Sequence, residues 1–408
     1  MSYQMNAALS TGGDARSTYD ETVQRAVDLL PFLRARAAEA EQLRRVPEAS
    51  LEALHAAGLF RIVQPERFGG TALPVTIILD VCAQLAKACP STAWVLGNLA
   101  SHAMLLALWP LEAQVEVWGN SPNAQVGSSF VFPAGHAQRV SGGYKLSGRW
   151  PFSSGIHASE WVIVGGMVRG ESESSPPEQR YFLLSREEYV VLDTWYVAGL
   201  RGTGSADLAV ENVFVPEHRT LAYATMVQGE APGLAIHQQP LFRFPLHMAG
   251  GFILVSTVYG AARGALEDLV ASSKTRLGRM SGKPLAGELT LQLKIAEAAA
   301  ILDVVELLTR TRLEYVMSSL EAHGSVPERE GVRMRRDSSF CARLCVQAID
   351  IAFAAGGGSA LYDTNPLQRA WRDVHAGAAH LGLQWDTMGS AYGRFELGLP
   401  SGLPGLSI

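Results

Sequence analysis

Apolar positions recur with helical spacing through the first hundred or so residues. Thr18-x-x-Glu21 reads as a capping box after a loose tail over residues 1–17. Val23, Val27, Leu30 and Leu33 then share one helix face, and Pro31 should kink or break that helix. Pro47 opens a short helix that closes at Gly58. Segments 76–88 and 91–108 are apolar nearly all round, as expected of helices in a core. After Asn120 the pattern changes. Segments 124–132, 137–150, 160–168, 180–186 and 206–215 are rich in Val, Ser, Phe and Trp and are separated by Gly, Pro and acidic turns. Ser141-Gly142-Gly143 signals a hairpin, and the polar 169–179 piece reads as an exposed loop. Long helical patterns return at 247–276, 286–321, 332–355 and 366–389, which predicts a four-helix bundle. The expected fold is mainly α with a central antiparallel β domain. Its domains are 1–122 (helical), 123–236 (β barrel or sandwich) and 237–408 (bundle).

Composition narrows the partners. Of 408 residues, 48% are hydrophobic and 18% charged, which is ample for a core and wrong for a disordered chain. A net charge of −5 argues against nucleic acid or an anionic membrane as partner. No run of about 18 uninterrupted apolar residues suggests a membrane span. The first residues have no basic stretch followed by an apolar one, so a secretory signal is not expected. Cys82, Cys89, Cys341 and Cys345 include no CxxC. They read as buried thiols, which suits a reducing, cytoplasmic setting.

Missing motifs narrow the chemistry. There is no GxxxxGK[ST], HExxH or GxSxG, and no carboxylate–histidine set with metal-ligand spacing. Gly202-Thr-Gly204-Ser-Ala-Asp207 lacks the third glycine of a dinucleotide fingerprint and precedes a β run. With no NAD(P)H domain in evidence, a redox enzyme of this sequence would take its electrons from another protein.

Three segments carry candidate chemistry: GRWPFSSGIHASEWVIVGG (148–166), GLRGTGSADLAVENVFVP (199–216) and AAGGGSALYDTNPLQRAWRDVHAGAAHLG (354–382). A flavin needs a flat apolar wall and hydrogen-bonding groups at its N5 edge. Trp150 and Phe152 offer the wall, Ser153 and Ser154 the hydroxyls, and Gly155 a close backbone approach; a strand ending in a polar turn would look the same. Arg201, Thr203 and Ser205 suit a phosphate or the polar ring edge, or equally a glycine-rich turn. Together with PERFGG (65–70) and CPSTAWV (89–95), these segments resemble the acyl-CoA dehydrogenase superfamily over almost the whole chain. They are most similar to its reduced-flavin monooxygenase branch, which includes the 4-hydroxyphenylacetate 3-hydroxylase oxygenase components.

That resemblance implies an acyl-CoA dehydrogenase fold and a homotetramer. It implies reduced FMN or FAD from a separate NAD(P)H:flavin reductase, and O2 activated as a flavin C4a-hydroperoxide that hydroxylates a phenolic or polyketide-type aromatic. Ser153, or else Ser154, would bond flavin N5, and Arg276 would reach a flavin phosphate across a subunit interface. The dehydrogenases place a catalytic glutamate shortly after an Arg-Asp pair. Here Arg372-Asp373 is followed at that place by His380-Leu381-Gly382, with no carboxylate. His102, His380 and Ser153 are therefore the expected catalytic residues. Ser128, His102 and Arg243 are the expected substrate contacts, His102 acting on the substrate hydroxyl and Arg243 on an acidic group. A histidine near pKa ~6.5 suits that task at neutral pH. Standing alternatives are N- or S-oxygenation by the same branch and an FAD-dependent acyl-CoA dehydrogenase.

Overall fold

The computed structural model describes residues 13–170, 176–278 and 282–402. Six helices come first: α1 (Gly13–Asp28), α2 (Leu30–Leu43), α3 (Glu48–Ala56), α4 (Thr76–Ala86), α5 (Pro90–Leu106) and α6 (Leu111–Trp118). The predicted break at Pro31 falls at Leu29, with the proline in the first turn of α2, where its missing N–H costs nothing. Thr18 lies inside α1 and not at its cap, because the helix already starts at Gly13. Residues 1–12 of the expected tail lie outside the described residues.

Eight strands follow: β1 (Val126–Ser129), β2 (Gly135–Val140), β3 (Gly143–Ser153), β4 (Trp161–Val168), β5 (Glu178–Ser185), β6 (Val190–Leu192), β7 (Ala206–Pro216) and β8 (Thr220–Ala222). The hairpin forms between β2 and β3, with Val140 opposite Gly143. The order is β6-β7-β3-β2-β4-β5-β8, with β1 also on β4. The sheet is mixed, not purely antiparallel, since both β1 and β2 run parallel to β4. The short strands β6 and β8 carry too little pattern to be read from sequence. Part of the expected 169–179 loop (171–175) lies outside the described residues.

The C-terminal part comprises α7 (Tyr223–Val227), α8 (Leu246–Ala249), α9 (Gly251–Ser273), α10 (Leu289–His323), α11 (Glu328–Gly356), α12 (Pro366–Ala378) and α13 (Trp385–Glu396). Helix α9 is the hub, packed against α4, α5, α10, α11 and α12. Two helical stretches, Leu246–Ser273 and Glu328–Leu361, are long and apolar enough to pass for membrane spans by composition. The first is 83% buried inside the protein, as a core helix should be; the second is only 33% buried. The four cysteines are buried and free.

The largest departure from the expected bundle is at its fourth helix. The apolar periodicity of 366–389 runs on, but the backbone breaks after Ala378 into a turn at Leu381–Leu383 before α13. The His380 side chain makes the break: its Nδ1 accepts the Gly382 N–H at 3.0 Å, as a capping residue does. This lifts His380 out of the helical ladder and sets its ring beside Trp94 of α5.

Candidate active site

Helix α5 runs beside that turn and carries the next candidate side chains. Every residue from Pro90 to Leu106 is buried except Asn98. Trp94, Asn98 and His102 follow one another at i, i+4, i+8, so they lie on one side of the helix over about 12 Å at ~1.5 Å per residue.

At the Trp94 end a chain of hydroxyls is fixed in direction. Trp94 Nε1–H donates to Ser154 Oγ at 3.1 Å. Ser154 and Ser205 are 2.8 Å apart, and Ser205 and Thr203 2.7 Å. Thr203 must give its proton to the Leu200 carbonyl at 2.9 Å. Each hydroxyl has one proton, so Ser205 donates to Thr203 and Ser154 to Ser205. Ser154, half-buried, is left with one lone pair and acts as an acceptor. Thr203 and Ser205 are buried and spend their hydroxyls on this chain, so they do not present donors to a phosphate as expected; they hold Ser154. His380 closes this end, its ring 5.8 Å from Trp94. Because Nδ1 accepts from Gly382, the proton sits on Nε2, which makes no bond to the described residues. Burial pushes its pKa down to about 4, so it is a neutral N–H donor at pH 7. The residue is solvent-exposed although protein atoms surround it closely.

The strand end beside Ser154 departs from simple alternation. A register shift between Trp150 and Ser153 and a left-handed Phe152 (φ +61) reverse the facing of the last residues. Trp150 is wholly enclosed in the sheet's own core and donates to Gly165 O at 2.6 Å. It cannot be the flavin wall. Phe152 is instead thrown outward, 67% exposed, edge-on to Trp195. Ser153 turns inward, and its Oγ is buried with no hydrogen-bond partner. Gly155, at φ +73, makes the following turn, with its backbone against Val95 and Leu99.

At the other end His102 is 5% exposed. Its Nδ1–H donates to Val126 O at 2.7 Å, which leaves Nε2 to accept the Ser128 hydroxyl at 2.8 Å. Burial lowers its pKa to about 4 against the favourable pull of the Val126 carbonyl, so it is neutral at pH 7. Ser128 is half-exposed, and with its proton committed to His102 it offers lone pairs to a ligand. Phe130 stands edge-on to His102 at 5.7 Å and leads to Tyr181 and Tyr223, an aromatic wall beside Ser128.

The remaining expected contacts are scattered. Arg243 is exposed at the end of a turn that packs on α5, and Arg201 is half-buried on the Thr203 loop; neither guanidinium is paired among the described residues. Arg276 bonds Ser359 of its own chain at 2.9 Å and is not part of this group. A cavity of about 360 Å³ is bounded by Glu39, Arg45, Val95, Gly155, His157 and Thr203, beside the strand end; His102 and His380 do not line it. Trp94 and Asn98 were not anticipated. Their signal was the i, i+4, i+8 spacing to His102 within CPSTAWVLGNLASH.

Comparison with known proteins agrees with this architecture. Residues 18–119 match the acyl-CoA dehydrogenase N-terminal domain, and residues 252–385 its C-terminal domain. The chain is 36% identical over 381 residues to the flavin-dependent monooxygenase oxygenase subunit HsaA of Rhodococcus jostii (strain RHA1), covering 93% of this chain and 98% of that one. It is 36% identical over 386 residues to the oxygenase component of an FADH(2)-dependent resorcinol hydroxylase of Rhizobium sp. (strain MTP-10005), covering 92% and 94%. The structure of XiaF from Streptomyces sp., solved with FADH2 and glycerol, superposes with a TM-score of 0.89 at 28% identity, covering 97% and 99%. The chain therefore belongs to the acyl-CoA dehydrogenase superfamily, among the oxygenase components of flavin-dependent monooxygenases.

Proposed function

We propose that this chain receives reduced FAD or FMN from a separate NAD(P)H:flavin reductase and uses O2 to hydroxylate a phenolic or polyketide-type aromatic. The names of its relatives support a reduced flavin and an aromatic substrate. The residues present fit the cofactor. Ser154 has a spare lone pair suited to the N5–H of a reduced ring, and Phe152 presents an uncovered aromatic face next to it. The orphaned Ser153 hydroxyl, costing about 1–3 kcal/mol as it stands, would gain a partner from a ligand at the strand end. Arg201, unpaired among the described residues, would serve a phosphate. Bound reduced flavin supplies O2 activation and the transferred oxygen atom; the protein supplies position, dryness and protons.

The single observation that carries the reading is the Val126–His102–Ser128 relay. A phenol donating to Ser128 Oγ can pass a proton to it as Ser128 passes its own to His102 Nε2, while Nδ1–H stays on the Val126 carbonyl. The lowered His102 pKa corrects the simpler expectation of a base near 6.5 that ionises the phenol beforehand. With an ordinary phenol near ~10 and the acceptor at about 4, full ionisation would cost roughly 8 kcal/mol. The proton therefore moves as the ring is attacked, when electron loss from the ring acidifies its hydroxyl. His380 Nε2–H stands at the flavin end as a fixed donor that steadies oxygen or substrate.

An apolar outer face supports a homo-oligomer. Leu289, Leu293, Val304 and Leu307 of α10 and Phe340 of α11 are all exposed in the single chain. Arg276 reaching a neighbour's flavin belongs with that assembly.

The test is product formation with added reduced FAD or FMN and O2 against a panel of phenols, aromatic polyketides and amines. The purified protein should be nearly colourless, and phenols should be turned over only with reduced flavin present. Tightly bound oxidised FAD that bleaches with an acyl-CoA would instead point to a dehydrogenase.

A further inference from the structure

Helix α5 is sealed along its length except at Asn98. This residue stands midway between the Trp94–Ser154–His380 end and the Ser128–His102 end. Its amide is half committed: Nδ2 donates to the Trp94 carbonyl one turn back at 2.8 Å, and this fixes which way the amide points. Oδ1 has no partner among the described residues. With the amide nitrogen held back against the Trp94 carbonyl by one of its two N–H groups, Oδ1 is turned away from it, at the one point where solvent reaches the helix.

The acceptors and donors of the site are then distinct. Ser128 and Ser154 accept, His380 donates, and Asn98 adds an acceptor on the helix. We infer that Asn98 Oδ1 is a specificity-determining acceptor that reads a second O–H or N–H donor on the aromatic substrate, one turn of α5 away from the hydroxyl seated on Ser128. Asn98 and His102 are neighbours one turn apart on the same helix face, so the second donor lies away from the hydroxyl seated on Ser128. The substrate class is thus an aromatic with two separated donors, and its monoethers should be discriminated against. A neutral ring with a single hydroxyl leaves Asn98 Oδ1 facing an apolar edge, and this loss of its hydration disfavours binding.

The inference rests on the reading of Ser128 as the phenol seat, and the test separates the two. Benzene-1,3-diol and 3-methoxyphenol are titrated into the flavin-free protein by calorimetry, using wild type, Asn98→Leu, Asn98→Asp and Ser128→Ala. Wild type should bind the diol about 3- to 10-fold more tightly, the worth of one neutral hydrogen bond. Asn98→Leu should erase that preference while leaving 3-methoxyphenol within about 2-fold, and Asn98→Asp, which keeps an oxygen there but loses the N–H that orients it, should retain more of the preference than Asn98→Leu. Ser128→Ala should weaken both ligands in parallel. If Asn98→Leu weakens both ligands equally, or neither, the role of Asn98 is wrong while the phenol seat stands. If Ser128→Ala changes nothing but Asn98→Leu acts selectively, the phenol seat is wrong and the Asn98 contact survives. Failure of wild type to bind either ligand sinks both.

Discussion

The relay at Ser128 makes a quantitative demand on His102. Replacing His102 by alanine removes two hydrogen bonds and leaves the Val126 carbonyl and the Ser128 hydroxyl without their partner. The buried Val126 carbonyl left without a partner costs about 1–3 kcal/mol, the half-exposed Ser128 hydroxyl less, against a typical total stability of ~5–15 kcal/mol, so the variant should fold with a lowered melting temperature. Removing an acid–base group in proton transfer costs on the order of 10²–10⁴ in rate. None of the groups at the Trp94–Ser154–His380 end contacts His102 in any of its hydrogen bonds, so reduced-flavin binding and oxygen consumption should stay within about 2-fold of wild type. The assay mixes reduced flavin, protein and a turned-over phenol with oxygenated buffer and follows hydroxylated product and H2O2 together. Wild type should give mostly product; His102→Ala should consume O2 at the same rate and release H2O2. Ser128→Ala should fall between the two, since a water can bridge the substrate to the histidine. With His102 neutral down to about pH 4, the wild-type yield should be flat from pH 5 to 8. Unchanged product yield in His102→Ala, or a wild-type inflection near pH 6.5, would refute the reasoning.

Stability should depend on pH through two buried groups with opposite signs. His102 has a folded pKa of about 4, below its unfolded ~6.5; its contribution is present above 6.5 and lost as pH falls through 4, about 3 kcal/mol at most. Urea unfolding should show this loss flattened in His102→Gln. Asp373 accepts the Leu200 N–H at 2.6 Å, and burial, with Glu41 nearby, raises its pKa to about 7 despite that bond. Its contribution is present below the unfolded ~3.9 and lost as pH rises through 7, up to about 4 kcal/mol. Asp373→Asn should therefore gain stability relative to wild type at pH 8 and little at pH 5; an equal change at both would show the carboxyl ionised throughout. Trp94→Phe removes the donor that holds Ser154 Oγ in place, while the chain's direction stays set by the Leu200 carbonyl. Reduced-flavin affinity, measured anaerobically, should drop about 3- to 10-fold; unchanged affinity would remove Ser154 from the flavin site.

Much of the architecture was written in local pattern. Helix periodicity placed all the long helices, and the Ser141-Gly142-Gly143 turn placed the hairpin. His102, Ser128 and His380 could be named because they stand in recognisable segments. What stayed hidden was set by single backbone events. Alternation alone puts Trp150 and Phe152 on one face; the bulge before Ser153 and the left-handed Phe152 send one into the core and the other to the surface. The periodicity of 366–389 continues straight through His380, and only the side chain's own bond to Gly382 N–H shows why the helix stops there. Histidine is not among the usual capping residues, so no propensity signalled it. Thr203 and Ser205 looked like ligand donors because sequence cannot show that their protons are already spent on Leu200 and on each other.

The central claim is that the site joins a reduced flavin at the Ser154 end to a phenol at the Ser128 end and moves one oxygen atom between them. A single turnover under ¹⁸O2 tests it most directly, with reduced flavin, a phenol that binds, and mass analysis of the product. One ¹⁸O per hydroxylated ring, at a yield that falls in Ser128→Ala and collapses in His102→Ala while ¹⁸O2 is still consumed, is the expected result. Label drawn from water, or a yield indifferent to Ser128, would contradict it.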